Sequence, residues 1–327
     1  MLLLSKEDIK SIFTMKDAIE ADKEAFRIFT EKKSVVPLRT NIPAPKHEGS
    51  LLFMPGYIED IDCAGVKIVS VFPKNVEKGI PSTPATVLLL DGTTGEVCSI
   101  LDGTYVTQIR TGAASGAAFD VLAREDAKIG ALIGTGGQAE SQLEAMIAAR
   151  DLDEVRIFNR SLKKAQAFVD LMDKELASYD TKFLAVDNSD VAVDGADMII
   201  TVTNSNTPVF DGSKVKKGAT ISGVGSYQPN MQEIDPTTLT RASKIFFDSE
   251  EAVLAEAGDF IKPLEAGIIS KGDFTGELGS VINGSLVGRE NDDEIIVFKS
   301  VGISVQDVVT AKMIYDKALE LSVGTEW

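Results

Sequence analysis

The chain has 327 residues, of which 33 are Lys or Arg and 50 are Asp or Glu, so its formal net charge is −17. This excess of negative charge disfavours nucleic acids and anionic membranes as partners, because both are polyanions. An apolar fraction of 44% and a charged fraction of 25% are typical of a globular protein and exclude disordered, collagen-like and coiled-coil chains. The length favours two domains over one.

The cysteines and the single histidine exclude several kinds of site. Cys63 and Cys98 are too few for a disulfide framework or a four-thiolate zinc site, and we predict no metal site. His47 lies in a polar stretch, so we interpret it as a loop residue, which disfavours a Ser-His-Asp triad. The N-terminus turns acidic too early for a signal peptide, and no apolar run reaches the roughly 18 residues of a membrane helix. We therefore expect a cytoplasmic protein.

The first third of the chain is predicted to combine helices with an antiparallel sheet. Residues 5–33 show helical spacing of apolar residues, with Ser5 and Thr14 as candidate caps. Between residues 35 and 100, short apolar runs alternate with Pro and Gly, which indicates a mostly antiparallel sheet. Residues 104–123 form a predicted helix rich in small residues, which allows close packing against a neighbour.

From residue 128 the pattern changes to alternating strands and helices, which is typical of a doubly wound parallel sheet. The predicted strands are 128–133, 155–158, 197–203, 219–224 and 244–248, and the predicted helices are 138–150, 162–176 and, near the C-terminus, 304–321. The fold class is therefore α/β, with a nucleotide-binding part that follows an antiparallel α+β part.

A glycine-rich loop joins the first of these strands to the first helix and carries the strongest local signal. Its pattern GxGxxA lets Gly134 form a tight turn, Gly136 admit a pyrophosphate and Ala139 pack closely on the strand. We interpret it as a dinucleotide site rather than an ordinary turn, because strand, helix and second strand follow at the expected distances. The residues assigned to the cofactor here and at the end of strand 197–203 are Gly134, Thr135, Gly136, Gly137, Gln138 and Thr203.

The end of the second strand bears on the choice between NAD(H) and NADP(H). An NAD site usually carries Asp or Glu at this point to accept from the ribose hydroxyls, whereas this chain has Asn159. Arg160 and Ser161 follow and are able to contact a 2′-phosphate, so the sequence favours NADP(H). The alternative is that Arg160 is a surface residue and Ser161 caps the next helix.

Three cations outside the nucleotide-binding part are candidate ligands of an anionic substrate. Lys67 interrupts an otherwise apolar strand, where a lysine is costly unless it is paired. Arg110 lies beside small residues on the predicted helix 104–123, and Arg39 precedes a predicted strand. Together they would bind a carboxylate and polarise a neighbouring C=N bond. Spacing alone leaves open that they are three unrelated surface charges.

Several motifs in this chain resemble those of the ornithine cyclodeaminase/μ-crystallin family over essentially the full length. They are, besides the glycine loop, GVKIV at 65–69, GIPST at 79–83, LDGT at 101–104, IRTGAAS at 109–115, ELG at 277–279 and FKSVG at 298–302. The resemblance implies a substrate-binding and dimerisation domain, residues 1–118 plus 303–327, with a Rossmann domain, residues 119–302, inserted between its parts. It further implies a homodimer that pairs through its sheets, and a substrate held between the domains against the nicotinamide.

The resemblance also assigns roles to individual residues. Arg39, Lys67 and Arg110 match the cations that grip the substrate carboxylate in the family. Cyclodeaminases of the family carry acidic residues at two positions that are here Leu52 and Tyr227, and this difference puts ornithine cyclisation in doubt.

Relatives with the altered loop at Tyr227 look more like reductases of cyclic imino acids. We therefore expect an NADPH-dependent reductase of Δ1-pyrroline-2-carboxylate or Δ1-piperideine-2-carboxylate. Lys67, Tyr227 or water would supply the proton, and Thr83 and Ser300 are secondary candidates for substrate contact. The alternatives are an ornithine cyclodeaminase, an alanine dehydrogenase-type enzyme and a non-catalytic NADP(H)-binding protein.

Overall fold

The computed structural model describes all residues from Met1 to Trp327. Up to residue 122 the elements are β1 (Leu2–Leu4), α1 (Lys6–Ile12), α2 (Met15–Thr30), β2 (Ser34–Val35), β3 (Thr40–Ala44), β4 (Gly49–Ile58), β5 (Cys63–Val71), β6 (Ala85–Asp91), β7 (Val97–Asp102) and α3 (Gly103–Leu122). The next segment contains β8 (Ile129–Ile133), α4 (Ala139–Ala149), β9 (Glu154–Phe158), α5 (Leu162–Glu175), β10 (Lys182–Val186), α6 (Ser189–Val193), β11 (Met198–Thr201), β12 (Thr220–Gly223), α7 (Pro236–Arg241), β13 (Lys244–Phe247), α8 (Glu250–Glu256), α9 (Gly258–Glu265), β14 (Gly276–Glu277), α10 (Leu278–Ile282) and β15 (Ile296–Lys299). The chain ends with α11 (Ser304–Leu321) and β16 (Thr325–Glu326). None of the helices combines the length and the apolar character that crossing a bilayer requires.

The chain divides into two units. Unit 1 comprises Met1–Arg110 and Ile303–Trp327, and unit 2 comprises Thr111–Gly302. The predicted domain limits of 118 and 303 differ from the limits of these units only inside α3. A continuous helix has no linker composition, so the sequence offers no signal at which to place this boundary.

Unit 1 is built on a mostly antiparallel sheet, as predicted. Its strand order is β16-β1-β7-β6-β5-β4-β2, and β3 also pairs with β4. The exception is β1, which runs parallel to β7 and was missed because three leucines show no periodicity. The predicted caps of α1 and α2 are present, since Ser5 Oγ accepts from the Asp8 N–H at 3.1 Å and Thr14 Oγ1 from the Asp17 N–H at 3.2 Å.

The C-terminal helix α11 packs against β4, β5 and α2 of the same unit. Close approach is possible because β5 has a glycine under the helix: a Cβ added at Gly65 would lie 3.1 Å from a Val308 methyl group. Ser304 Oγ also donates to the Pro55 carbonyl of β4 at 2.8 Å. The returning segment thereby completes unit 1 and brings the first turns of α11 over the middle of the sheet.

Unit 2 is a doubly wound parallel sheet, so the predicted α/β fold class is confirmed. Its strand order is β10-β9-β8-β11-β12-β15-β13-β14, and every neighbouring pair is parallel. Successive residues of β8 enter different cores, Ile133 on one face and Leu132 on the other, because both faces of the sheet are covered. The strand order reverses between β8 and β11, and dinucleotides bind at such a switch point, outside the carboxyl ends of the strands.

Candidate active site

Lys67 is buried in the middle of the unit 1 sheet, with 1% of its surface exposed. The register of β5 sets it opposite the apolar residues Met54 of β4 and Val87 of β6. A buried ammonium needs a partner, and Lys67 Nζ lies 2.6 Å from Asp307 Oδ2 of α11. The interruption in the apolar strand therefore marks a buried ion pair.

Asp307 also neutralises Arg110, so that one carboxylate serves two cations. Arg110 Nε lies 3.0 Å from Asp307 Oδ1, and both side chains are buried. Asp307 Oδ2 accepts a hydrogen bond from Lys67, whereas the contact of Oδ1 with Arg110 is an ion pair without hydrogen-bond geometry. The three side chains carry a net charge of +1 when ionised. The net positive charge suits an anionic ligand, whose oxygens would accept from Lys67 and Arg110.

Gln306 supports Arg110 from the same turn of α11. Its Oε1 accepts from Arg110 Nη1 at 3.4 Å and from the Ile303 N–H at 3.0 Å. Its Nε2 donates to Asp22 Oδ2 of α2 at 2.9 Å, and that carboxylate is fully buried. The amide is therefore held at both ends, which orients the guanidinium beside Asp307.

The electrostatics of the cluster bring the pKa of Lys67 close to neutral pH. Burial, together with the positive charge of Arg110, lowers the pKa of Lys67 to about 7, although Asp307 opposes the change. The charge of Arg39 lowers the pKa of Lys67 further, so Arg39 acts on the same site. The three cations singled out in the sequence thus influence one another within unit 1.

The two secondary substrate candidates are placed differently. Thr83 is exposed in the segment before β6, and no hydrogen bond links its side chain to the cation cluster. Ser300 belongs to unit 2, where its buried Oγ donates to Asp248 Oδ2 at 2.8 Å. Both assignments stay predictions.

Leu52, one of the two positions at which cyclodeaminases are acidic, lies on the Lys67 side of the sheet. It pairs with Val69 of β5, two residues beyond Lys67, and residues two apart share a face of a strand. An apolar side chain therefore occupies, on this side of the sheet, a position at which the resemblance implies a carboxylate in cyclodeaminases.

The glycine-rich loop of unit 2 has the shape that its pattern predicts. Gly134 has φ of +114°, and a Cβ at this residue would lie 2.7 Å from the Val202 carbonyl oxygen. Gly136 and Gly137 are different, because a Cβ added at either would meet no atom within 4 Å. This open space, in front of the free N–H groups at the start of α4, fits the pyrophosphate of a dinucleotide.

The end of β9 lies beside this loop. Asn159 Nδ2 donates to Thr135 Oγ1 at 2.8 Å, and Asn159 Oδ1 accepts from the Ser161 N–H at 2.9 Å. Ser161 Oγ accepts from the Lys164 N–H, so it caps α5 as the alternative interpretation held. Arg160 is exposed and free to turn towards a ligand.

Two further loops, after β11 and β12, carry Thr203 and Tyr227. The Thr203 N–H donates to Glu233 Oε1, and its Oγ1 accepts from the Ser205 N–H at 3.2 Å. Tyr227 is 38% exposed, and burial of its phenol raises its pKa, so the hydroxyl stays protonated at neutral pH. It remains able to donate a hydrogen bond or a proton.

Sequence reasoning missed the acidic residues that organise both regions. Asp307 interrupts the apolar positions of α11 just as Lys67 interrupts β5, and this shared feature was an available signal. Glu233, Asp248 and Asp259 gave no local signal of such a role. All four side chains are buried.

A parallel sheet with a glycine loop at its carboxyl edge places the chain among the α/β proteins with a Rossmann-type dinucleotide-binding domain. A second unit with buried cations distinguishes it from a Rossmann domain alone. The chain belongs to the ornithine cyclodeaminase/mu-crystallin family, whose sequence model matches residues 1–322. The resemblance seen in the motifs is confirmed.

Individual relatives are similar over the full chain. The Delta(1)-pyrroline-2-carboxylate reductase of Bacillus cereus is 39% identical over 324 residues, covering 99% of this chain and 98% of the relative. The structure of the Thermococcus litoralis Delta(1)-pyrroline-2-carboxylate reductase in complex with NADH and L-proline is 40% identical, with a TM-score of 0.94 and full coverage of both chains. An archaeal alanine dehydrogenase dimer with bound NAD is 34% identical, with a TM-score of 0.90 and coverage of 99% of this chain and 98% of that chain.

Proposed function

We propose that this chain reduces the C=N bond of a cyclic imino acid, Δ1-pyrroline-2-carboxylate or Δ1-piperideine-2-carboxylate, to L-proline or L-pipecolate. The observation that carries the proposal is the full-length likeness to the Thermococcus litoralis reductase, at 40% identity and a TM-score of 0.94. The buried cation cluster of unit 1 supports it, because both substrates carry a carboxylate next to the imine.

The chain's own residues would bind and orient this carboxylate. Arg110 presents a planar guanidinium, and Lys67 and Arg39 add positive charge on the same side. Asp307 offsets the repulsion between Lys67 and Arg110 before the substrate binds. Gln306 fixes the orientation of the Arg110 guanidinium. Holding the substrate in one orientation lowers the barrier to transfer by removing rotational freedom beforehand.

The reaction needs a hydride at the imine carbon and a proton at the imine nitrogen. The nicotinamide supplies the hydride when it is bound. We assign the proton to Lys67, because a pKa of about 7 lets it exist in both protonation states near neutral pH. Tyr227 is the alternative donor, since its phenol stays protonated.

For the cofactor we propose a preference for NADPH over NADH. Asn159 has no charge to repel a 2′-phosphate, and the exposed Arg160 follows it directly. The neighbouring Lys163 and Lys164 add exposed positive charge at the start of α5. The relative in complex with NADH leaves NAD(H) as the competing choice.

Alanine dehydrogenase activity is the second candidate, because a relative of that name is 34% identical over nearly the whole chain. Ornithine cyclodeaminase activity is disfavoured by Leu52, which offers no carboxylate on the Lys67 side of the sheet. A non-catalytic NADP(H)-binding protein would need no cluster of the kind formed by Lys67, Arg110 and Asp307.

Initial rates on a panel of substrates test the proposal. NADPH oxidation should be fast with either cyclic imino acid and slow with pyruvate plus ammonia, and L-ornithine should release no ammonia. Lys67→Met should abolish imine reduction while the affinity for NADPH stays at the wild-type value. Faster turnover of pyruvate would favour the second candidate, and cofactor binding without any turnover would favour the binding protein.

We also propose that the chain forms a homodimer through unit 1. Val35, Leu38 and Ile42 are exposed by 66%, 62% and 47%, although they are apolar and close together in the chain. Exposed apolar surface of this kind is typical of an interface. Light scattering coupled to size exclusion should give twice the mass of the chain, and a concentration-independent monomer would contradict the proposal.

A further inference from the structure

Glu233 is a fully buried acidic residue in the segment between β12 and α7. Its Oε2 accepts from the N–H groups of Gly225 at 2.6 Å and Ser226 at 3.1 Å, in the loop that follows β12. Its Oε1 accepts from the N–H of Thr203, in the loop that follows β11. One carboxylate therefore ties together two loops at the carboxyl edge of the parallel sheet.

The loops approach each other so closely that only glycine fits between them. A Cβ added at Gly225 would lie 2.0 Å from the Thr203 carbonyl oxygen and 2.6 Å from Glu233 Oε2. The neighbouring backbone cannot move away without breaking the bonds to Glu233. The contact between the loops and the buried carboxylate is thus one structural unit.

A second buried carboxylate holds Glu233 itself in place. Asp259 Oδ1 accepts from the N–H groups of Glu233 at 2.6 Å and Ile234 at 2.9 Å, and its Oδ2 lies 3.0 Å from Lys299 Nζ of β15. Lys299 and Asp259 are the charged groups that face Glu233, and burial raises the pKa of Glu233 to about 7 although Lys299 and the N–H donors oppose the change. A charge in this position is costly, yet it is surrounded by backbone donors that only an acceptor satisfies.

We propose that Glu233 is a positioning residue, which holds the loops of Thr203 and Tyr227 in the conformation that receives the nicotinamide cofactor. Tyr227 directly follows Ser226, whose N–H is bound to Glu233. The two loops lie at the carboxyl ends of β11 and β12, the edge at which parallel sheets of this type bind dinucleotides. This role rests on the proposed function, because the motif pattern assigns Thr203 to the cofactor and the proposed reaction has Tyr227 as a candidate proton donor.

Two variants of Glu233 distinguish the effect of its charge from the effect of where its carboxylate lies. Glu233→Gln removes the charge and replaces one acceptor oxygen by an NH₂ group that cannot accept from a backbone N–H. Glu233→Asp keeps the charge but draws the carboxylate back by one methylene, out of reach of both loops together. The matched control is Asp235→Asn, because Asp235 lies on the same segment and accepts from Gly212 and Thr237 rather than from the two loops.

The affinity for NADPH, measured by isothermal titration, should fall about tenfold or more in both Glu233 variants, because the loops would then have to be ordered as the cofactor binds. The KM for the imino acid should change less than the cofactor Kd. The N–H groups of Thr203, Gly225 and Ser226 should exchange with deuterium faster in both variants than in Asp235→Asn, as followed by mass spectrometry.

The outcomes distinguish a failure of the positioning role of Glu233 from a failure of the proposed function. Wild-type affinity for NADPH in both variants would overturn the positioning role, and so would wild-type affinity in Glu233→Asp alone, which would show that only charge matters. If Glu233→Gln fails to fold, Glu233→Asp and the exchange rates decide. A wild-type protein that binds neither NADPH nor NADH would overturn the proposed function together with this role.

Discussion

Asp307 is the counter-ion of two buried cations, and its replacement by Asn is expected to destabilise the folded protein strongly. At an effective dielectric constant of about 20, opposite charges at 2.6 and 3.0 Å attract each other by about 6 kcal/mol per pair. Desolvation offsets part of this attraction, so the expected loss in the free energy of unfolding is about 3–5 kcal/mol. Lys67 and Arg110 would remain buried without a counter-ion.

The loss in the free energy of unfolding in Asp307→Asn should depend on pH through Lys67. Burial lowers the pKa of Lys67 to about 7 in the wild type. Removing the attraction of Asp307 lowers the pKa of Lys67 further, so that the folded variant releases this proton at a lower pH. Between that lower value and about 7, the folded wild type holds one proton more than the folded variant. The difference in stability between the two proteins therefore narrows as pH rises through this window.

Equilibrium unfolding in urea, followed by far-ultraviolet circular dichroism over a pH series, measures both effects. Asp316→Asn is the matched control, because Asp316 lies on the same helix and pairs with Lys312 at 2.5 Å in a partly exposed setting. Such a pair contributes about 0.5 kcal/mol or less. A loss for Asp307→Asn no larger than that of the control, or a difference that widens as pH rises, would contradict the role of Asp307 as counter-ion.

Four further predictions concern catalysis and the cofactor. The kcat/KM for the imino acid should fall as pH rises through about 7, because Lys67 then loses the proton and the charge that the free enzyme uses; steady-state rates over a pH series check this. Asn159→Asp should lower kcat/KM for NADPH about tenfold or more and spare NADH, because a carboxylate repels the 2′-phosphate; equal losses with both cofactors would contradict the preference. Gly136→Ala should melt near the wild-type temperature, since its Cβ meets no atom within 4 Å, yet bind NADPH weakly in calorimetry. Gly134→Ala should lose both stability and binding, since its Cβ would lie 2.7 Å from the Val202 carbonyl oxygen.

Much of the fold could be predicted from the sequence because the relevant signals are local. Helix α11 was expected over residues 304–321 and is found as Ser304–Leu321, since helical periodicity needs only neighbours along the chain. The short strands β10 and β15 were missed. β15 (Ile296–Lys299) has four residues and no period of its own, and it becomes a strand by pairing with β12 and β13.

In the candidate site, too, the features with local signals were predicted and the contacts between distant segments were not. The shape of the glycine loop was predicted in detail, because its strand, its turn and the helix N-terminus are consecutive in the chain. Lys67 was recognised as anomalous from its apolar neighbours alone. Its partner Asp307 was not, because the two residues lie far apart in sequence and meet only when α11 packs on the sheet.

The tertiary structure alone decided how the buried charges are compensated. Lys67 and Glu233 both have a pKa moved to about 7, and in both cases burial is the largest cause. Burial and partner distance are properties of the packed chain, since each depends on elements brought together from distant segments. Residue types and local turns are set by neighbours along the chain, whereas packing determines which of them share a site and with what charge.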